Sequence, residues 1–297
     1  MMTDLPATGV RTFEAETWTV DRLLQLKEMS GRTISLCFPC RDEAATIGAL
    51  VTTARRNLLD GSGVIDELIV LDDRSADGTG VVAADAGARV VAMEEIHALH
   101  GPGNGKGNVL WASLLATTGD IVVWCDGDVT SFTHHWVERL VGPLLADPSV
   151  TLVKAMYERP THLGGGGRTT ELVARPLLSL YAPALAGLNQ PLSGEFAGAR
   201  WALEAIPFVE GWGVEIAMLL DLASQFGAHT IGQVDLGVRH HRHRSLEALS
   251  VQAAEVMATA LARVAPAQPL PDRTLRHADG SLVPLNLAER PPVNSLR

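Results

Sequence analysis

The sequence predicts a doubly wound α/β fold, in which a mostly parallel sheet carries helices on both faces. Short apolar runs alternate with amphipathic stretches over residues 31–145, at the spacing of strand–helix–strand units. The run at 121–125 is apolar throughout, as in a strand that is buried on both faces. We expect the crossovers between parallel strands to be right-handed.

The elements can be placed one by one from their periodicity. Strands are expected at 33–38, 67–71, 89–93, 121–125, 150–157 and 229–236. Helices are expected at 43–58, 76–86, 106–116, 136–145, 169–180, 213–226 and 245–264. Pro176 should kink one of these helices, and Ser245 should cap the last one. An arm (1–30) with an amphipathic stretch at 18–29 should pack outside an α/β half (31–157). A looser half (158–264) and a proline-rich surface tail (265–297) should follow.

Composition narrows the class of protein. A chain of 297 residues can bury a large core, and its net charge of −10 argues against binding to nucleic acid. No apolar run is long enough to cross a bilayer, and the first residues do not resemble a secretion signal. Cys37, Cys40 and Cys125 do not make a disulfide framework, so we expect a reducing cytoplasm and treat the C-x-x-C pair as packing residues.

The run at 121–125 ends in two carboxylates, Asp126 and Asp128, separated by Gly127. In open α/β sheets, ligands collect at the carboxyl ends of the strands. Two acids this close need a positive partner, and oxygen ligands suit Mg²⁺ or Mn²⁺ carried on a substrate's phosphates. A lone D-x-D is more often a solvated turn. The residues at the other strand ends therefore decide between a metal site and an ordinary turn.

Three more loops are expected at the same sheet edge, and each carries polar groups. Candidate donor-binding residues after the first two strands are Pro39, Cys40, Arg41, Glu43, Asp72, Asp73 and Ser75. The glycine-rich segment 101–107 opens a helix with Lys106 positioned to meet a phosphate. It is neither a Walker A loop nor a dinucleotide-binding fingerprint. Each loop alone is ordinary, but together they predict a site for a nucleoside diphosphate.

These motifs resemble those of a known family. The motifs P-x-x-x-E (39–43), D-D-x-S-x-D-G-T (72–79), G-K-G (105–107) and D-x-D (126–128) resemble the nucleotide-sugar glycosyltransferases of A fold. The stretches at 164–177, 190–195, 213–216 and 236–242 are more specific, and they look like the actinobacterial glucosyl-3-phosphoglycerate synthases. The resemblance runs from about residue 18 to residue 292. It implies an A fold with a nucleotide-sugar half at 31–157 and an acceptor half at 158–264.

Four glycines at 164–167 precede Arg168, Thr169 and Thr170 in the predicted acceptor loop. Glycines let backbone N–H groups approach an anion closely, and the threonines add hydroxyls at a helix start. A flexible glycine hinge is the alternative. Because arginine and the helix start follow at once, we favour an anion site. It includes Gly167 and suits 3-phosphoglycerate.

The resemblance also assigns roles. It makes Asp128 and His241 the ligands of Mg²⁺ or Mn²⁺, with Asp126 and Gly127 beside the donor. It implies catalytic roles for Asp128, for Lys106, which would hold an anion, and for Glu215, which would lie near the sugar. We expect the basic run 239–244 to face phosphates.

Three departures from the family pattern affect these assignments. His243 lies near the acceptor at a position where the family commonly has asparagine. Gly127 replaces an expected serine, and Asp73-Arg74 replaces smaller residues in the base-binding loop.

We therefore predict a retaining transferase that moves glucose from an NDP-glucose, with UDP-glucose the first choice, to 3-phosphoglycerate. The product, glucosyl-3-phosphoglycerate, would belong to glucosylglycerate or methylglucose lipopolysaccharide biosynthesis. We expect a cytoplasmic homodimer without nucleic-acid or membrane partners. Mannosyl transfer from GDP-mannose is the near alternative. A sugar nucleotidyltransferase would need its signature loop where Pro39-Cys40-Arg41 lies, and a nucleotide-sugar sensor would have little use for a metal set.

Overall fold

The computed structural model describes residues 9–158, 167–240, 245–267 and 273–297. Within these residues the strands are β1 (Arg11–Phe13), β2 (Ile34–Cys40), β3 (Glu67–Asp72), β4 (Arg89–Ala92), β5 (Ile121–Trp124), β6 (Leu152–Glu158), β7 (Phe196–Ala199), β8 (Phe208–Val209), β9 (Ile231–Val238), β10 (Thr274–Arg276), β11 (Leu282–Pro284) and β12 (Glu289–Arg290). The α-helices are α1 (Val20–Ser30), α2 (Ala44–Ala54), α3 (Thr79–Asp85), α4 (Met93–His100), α5 (Lys106–Ala116), α6 (His134–Ala146), α7 (Arg175–Tyr181), α8 (Arg200–Leu203), α9 (Val214–Phe226) and α10 (Leu246–Val264).

Eight strands form one sheet in the order β1-β9-β6-β7-β5-β2-β3-β4. Two parallel blocks, β1-β9-β6 and β5-β2-β3-β4, are joined by β7, which is antiparallel to both of its neighbours. The predicted α/β fold with a mostly parallel sheet is confirmed. Strand β7 was missed because Phe196-Ala197-Gly198-Ala199 is short and rich in small residues, and so gives little strand signal.

Most predicted elements lie within about two residues of their observed bounds, but two helices start differently. Helix α3 begins at Thr79 because Asp77 accepts hydrogen bonds from both the amide and the hydroxyl of Thr79. The predicted helix at 169–180 is a π-helical turn, Thr170–Ala174, followed by α7. Pro176 follows directly on this π turn, inside a helix that continues from residue 168 to residue 181, and it removes one helical N–H there. Ser245 caps α10 as predicted, accepting a bond from the amide of Ala248 at 3.2 Å.

Both ends of the chain are more integrated than the sequence suggested. Strand β1 pairs with β9 at the sheet edge, and the buried ring of Trp18 packs against Gly142 of α6. Residues 9–30 of the arm are therefore packed against the main fold. Strand β12 pairs with β8, and the indole nitrogen of Trp111 donates to the carbonyl of Pro291 at 2.8 Å. The end of the tail is thus part of the packed structure, while the expected four-segment division stays a prediction.

The carboxyl ends of β2, β3 and β5 lie side by side because these strands are parallel neighbours. Cys40 at the end of β2 is level with Asp72 at the end of β3. The segments that follow these strands therefore meet at one edge of the sheet, as the sequence predicted. Among the described residues, no helix is both long and apolar enough to cross a membrane.

Candidate active site

A cavity of about 410 Å³ opens at this edge of the sheet. Nine residues predicted from the sequence line it: Pro39, Cys40, Arg41, Glu43, Asp73, Lys106, Asp126, Gly127 and Asp128. Four that sequence reasoning missed also line it: Asn104, Gly105, Val109 and Trp212. Asn104 and Gly105 belong to the glycine-rich loop already identified, whereas Val109 and Trp212 carried no signal of their own. The structure thus brings most of the predicted donor residues together.

Lys106 is the first residue of α5 and the centre of a charge network. Its ammonium lies 2.9 Å from Asp126 Oδ1 and 2.8 Å from Glu215 Oε1. Burial alone would lower the pKa of Lys106, but the two carboxylates outweigh it and raise that pKa above its ordinary value. The lysine is therefore held as a cation between β5 and α9. Glu215 is 4% exposed and does not line the cavity, whereas its partner Lys106 does.

Arg239, just after β9, is the other cation that contacts Asp126. Its Nη2 lies 2.8 Å from Asp126 Oδ2 and 3.8 Å from Asp128 Oδ1, and its Nε donates to Glu195 Oε1 at 2.8 Å. Burial would lower the pKa of Arg239, but Glu195, Tyr157 and Asp126 raise it. The sequence suggested that this basic run faces phosphates. For Arg239 that prediction is wrong, because its side chain is buried against carboxylates.

The two acids of the D-G-D motif differ in their surroundings. Both oxygens of Asp126 accept from a cation, one from Lys106 and one from Arg239. Asp128 lines the cavity with its side chain 24% exposed. A carboxylate that faces a cavity beside a glycine-rich loop offers the hard oxygen donor that Mg²⁺ and Mn²⁺ take. The chemistry of this donor therefore fits the predicted metal.

His241 and His243, predicted near the metal and the acceptor, lie outside the described residues. The chain immediately before them is described. The amide of Thr130 donates to the carbonyl of His240 at 3.3 Å, and the amide of His240 donates to Ser131 Oγ at 2.9 Å. Residue 240 is therefore held beside the loop that follows Asp128. The role of His241 as a metal ligand stays a prediction.

Asp72 and Ser75, also predicted at the donor, do not line the cavity. Asp72 Oδ1 accepts from the amide of Ser75 at 3.1 Å, and Ser75 Oγ accepts from the amide of Asp42 at 2.9 Å. Asp72 therefore shapes its own turn, and Ser75 joins that turn to the loop after β2. Asp73 is 3% exposed and pairs with Arg74 at 2.8 Å, so the unusual Asp73-Arg74 pair is a local ion pair at the cavity wall.

Crowding by a neighbouring side chain explains why residue 127 is glycine. A Cβ at residue 127 would lie 2.6 Å from Cys40 Sγ, closer than atoms pack without a shift. The cysteine therefore occupies the space that a serine at 127 would need. Burial raises the pKa of the Cys40 thiol, and that of Cys37 likewise, so both stay protonated and packed, as expected from the sequence.

On the acceptor side the structure describes Gly167 onward, while 164–166 lie outside the described residues. Gly167 has a φ of +82°, and its carbonyl accepts from the amide of Glu171 at 2.8 Å, which starts the helical turn. Arg168 is exposed, whereas Thr169 and Thr170 are buried. The buried hydroxyl of Thr169 makes no hydrogen bond among the described residues. The predicted acceptor roles of these residues stay predictions.

Lys154 in β6 is a polar residue that sequence reasoning passed over. It is 1% exposed, donates to the carbonyl of Ser193 at 2.6 Å and lies 4.3 Å above the ring of Phe196. Burial lowers its pKa to about 7, although Glu215 and Glu195 oppose the shift. A lysine in the middle of the otherwise apolar start of β6 was the available signal.

The end of the chain holds the glycine-rich loop. Arg290 donates to Asn108 Oδ1 at 2.8 Å and to the carbonyls of His100 and Gly101, each at 3.1 Å. Asn286 Nδ2 donates to the carbonyl of Asn104 at 2.7 Å. The loop that presents Lys106 is therefore shaped by residues about 180 positions later in the chain.

Comparison with known proteins shows the family to which this chain belongs. Residues 35–200 match the profile of glycosyl transferase family 2. The glucosyl-3-phosphoglycerate synthase of Mycolicibacterium smegmatis is 43% identical over 291 residues, which is 94% of each chain. The chain belongs to the glucosyl-3-phosphoglycerate synthases of glycosyl transferase family 2.

Two solved structures of glucosyl-3-phosphoglycerate synthase from Mycobacterium tuberculosis extend the family relationship to the fold. One, in complex with Mn²⁺, UDP-glucose and phosphoglyceric acid, is 43% identical with a TM-score of 0.85, covering 94% of this chain and 96% of that one. Another, with Mn²⁺, UDP and glucosyl-3-phosphoglycerate, is 41% identical with a TM-score of 0.87, covering 97% and 100%. The A fold inferred from the motifs is thereby confirmed, as is the resemblance to this synthase family.

Proposed function

We propose that this chain transfers glucose from UDP-glucose to 3-phosphoglycerate, with Mg²⁺ or Mn²⁺, to form glucosyl-3-phosphoglycerate. The observation that carries the proposal is the match over almost the full length to a synthase solved with Mn²⁺, UDP-glucose and phosphoglyceric acid. The charge network at the sheet edge supplies the residues. Mannosyl transfer has no comparable support, since the curated relatives above 40% identity carry the glucosyl name.

The donor would lie in the cavity between the β2 and β5 loops, with its diphosphate near Asp128. Asp128 and His241 would hold the metal, which neutralises the diphosphate as it leaves. Arg41 and Lys106 line the cavity, so their charges would bear on the same phosphates. Trp212 lines the wall beside the glycine-rich loop and presents an aromatic surface to the donor.

Lys106 and Glu215 would act together. Because Glu215 holds the lysine ammonium at 2.8 Å, the lysine enters the site in one position before substrate binds. Arg239 likewise holds Asp126 in one position, because its Nη2 donates to Asp126 Oδ2 at 2.8 Å. Asp126, just after β5, is thus fixed by two cations, Lys106 and Arg239. We place Glu215 at the sugar end of the site, where its charge stabilises a positive sugar centre in the transition state.

The acceptor would bind to residues 167–170 through its phosphate and carboxylate, with Arg168 as the main cation. Arg168 is exposed, as a residue that meets an incoming anion must be. Buried Thr169, whose hydroxyl has no hydrogen-bond partner among the described residues, has donor capacity left for such a ligand.

A panel of donors and acceptors tests the proposal. Purified protein with Mg²⁺ is given UDP-, ADP- and GDP-glucose or GDP-mannose, each with 3-phosphoglycerate or glycerol 3-phosphate. We expect glucosyl-3-phosphoglycerate with retained configuration, seen by mass spectrometry and by NMR of the anomeric proton. Turnover with GDP-mannose above that with every glucose donor would contradict the proposal.

We further propose a homodimer in the cytoplasm. Large apolar side chains are exposed on α7, the π turn before it, and α10: Leu172, Leu180, Tyr181, Leu246 and Met257. Three buried free thiols fit a reducing compartment. Light scattering should give twice the chain mass for the native protein and a smaller mass for Leu180→Glu. A monomer at micromolar concentration would refute the dimer.

A further inference from the structure

The first two turns of α6 gather two imidazoles and a carboxylate. His134, His135 and Glu138 each present a ligand atom within 4.8 Å of the others. Residues three and four apart on a helix lie on one face, so Glu138 is within reach of both histidines. Neither the donor cavity nor the acceptor loop includes these residues.

Glu138 is unusual for a helix carboxylate because it is 3% exposed. Its Oε2 lies 2.8 Å from His135 Nδ1, while its Oε1 lies 3.9 Å from His134 Nε2. That second distance is too long for a hydrogen bond, and Oε1 is buried without a hydrogen-bond partner in the part of the chain that the structure describes. A buried carboxylate oxygen in this state is costly unless another group satisfies it.

We propose that His134, His135 and Glu138 form a second cation site, selective for Zn²⁺ or a similar transition metal. Two imidazole nitrogens with one carboxylate oxygen are ligands that Zn²⁺ takes, often with water as a fourth. Ligands at roughly 2.0–2.2 Å in tetrahedral geometry are about 3.3–3.6 Å apart, close to the gap between Glu138 and His134. Mg²⁺ prefers oxygen ligands, so this site differs in chemistry from the one at Asp128.

An ion bound at this site should affect the loop that carries the D-G-D motif. The loop 125–133 runs from the D-G-D motif directly into α6. The start of a helix carries partial positive charge, which opposes a cation, but the negative charge of Glu138 offsets it. An ion bound here joins the first and second turns of α6 and fixes the end of that loop. Zn²⁺ should therefore raise the thermal stability of the folded protein.

The experiment measures Zn²⁺ binding to the full-length protein after treatment with EDTA and desalting. Affinity is determined by competition with a chromophoric chelator, and Co²⁺ is used as a spectroscopic probe. The cluster variants are Glu138→Gln and His135→Ala, the latter at a side chain that is 59% exposed. His277→Ala controls for loss of a histidine elsewhere, and Asp128→Asn controls for the substrate's metal.

We expect one equivalent of Zn²⁺ that excess Mg²⁺ does not displace, and visible Co²⁺ bands of a four-coordinate site. Both cluster variants should weaken Zn²⁺ binding at least tenfold and lose the rise in Tm with Zn²⁺. Both control variants should keep the Zn²⁺ affinity and the rise in Tm with Zn²⁺. Unchanged Zn²⁺ affinity in His135→Ala, which should fold even if Glu138→Gln does not, would overturn the proposal. So would the absence of Zn²⁺ binding at micromolar concentration, which would leave an ordinary ion pair.

Discussion

Replacing Glu215 by glutamine removes a charge from the centre of the site while keeping the side chain's shape. In the folded protein Glu215 Oε1 lies 2.8 Å from Lys106 Nζ, and the carboxylate side chain is 5% exposed. From the sequence alone, Glu215 could have been a helix-start acid worth well under about 1 kcal/mol. The buried pair makes its contribution larger. Lys106 keeps Asp126 as a partner at 2.9 Å, so the variant should still fold.

Two magnitudes follow from this geometry. The glutamine oxygen can still accept from Lys106, but loss of the charge of the buried carboxylate should lower the free energy of unfolding by about 1.5–3 kcal/mol. In a chain of about this size, each kcal/mol of lost stability lowers Tm by roughly 2–4 °C. If the carboxylate also acts on the sugar, kcat should fall at least about a hundredfold, or roughly 2.7 kcal/mol of transition-state stabilisation.

The assay measures initial rates with UDP-glucose and 3-phosphoglycerate, together with thermal unfolding. Asp221→Asn is the matched control, since Asp221 is on the same helix and pairs with Arg263 at 2.8 Å outside the donor cavity. It should lower Tm and leave kcat unchanged. Near-wild-type kcat in Glu215→Gln would refute the catalytic role, and a loss of stability alone would mean that Glu215 only supports Lys106.

Three further outcomes are expected. EDTA should abolish turnover and Mg²⁺ should restore it. The Asp128→Asn variant should lose at least about a hundredfold in kcat/KM, and added Mg²⁺ should not restore it. Activity that survives EDTA would contradict the metal assignment. Arg168→Ala should raise KM for 3-phosphoglycerate by roughly 10- to 150-fold, from a loss of about 1.5–3 kcal/mol, with KM for UDP-glucose unchanged; equal loss for both substrates would place Arg168 elsewhere. Because the pKa of Lys154 is lowered from 10.5 to about 7, the unfolded chain binds a proton that the folded chain lacks above pH 7. Stability should therefore rise with pH by about 2 kcal/mol between roughly pH 7.5 and 9, and denaturant titrations of Lys154→Met should lack this rise.

The first half of the site was predictable because its residues follow strands in the sequence. Parallel neighbours end at one edge, so Pro39, Asp73 and Asp128 had to approach one another once the strands were recognised. Asp72 and Ser75 sit in the same loops, yet their side chains turn towards the backbone. Alternation of strands cannot distinguish an acid that faces a ligand from one that shapes a turn.

The second half was harder because its contacts join distant parts of the chain. Arg239 reads as one of several basic residues in a run, but β9 brings it to Asp126 and Glu195. No local pattern reports which of the run's cations is buried. Strand β7 was invisible for a related reason. Its pairing partners β5 and β6 supply the hydrophobic surroundings that its own small residues lack.

The contacts of Arg290 and Asn286 with the glycine-rich loop have a consequence for the order of events during synthesis. Strands β2 to β5 and helix α5 leave the ribosome long before residues 286–291 exist. Until then the loop carrying Lys106 lacks the hydrogen bonds to Asn108, Asn104 and the carbonyls of His100 and Gly101. The donor side of the site therefore takes its final shape only after residues 286–291 have been made. A chain that lacks residues 286–291 cannot make these hydrogen bonds, and any nucleotide it meets should bind weakly.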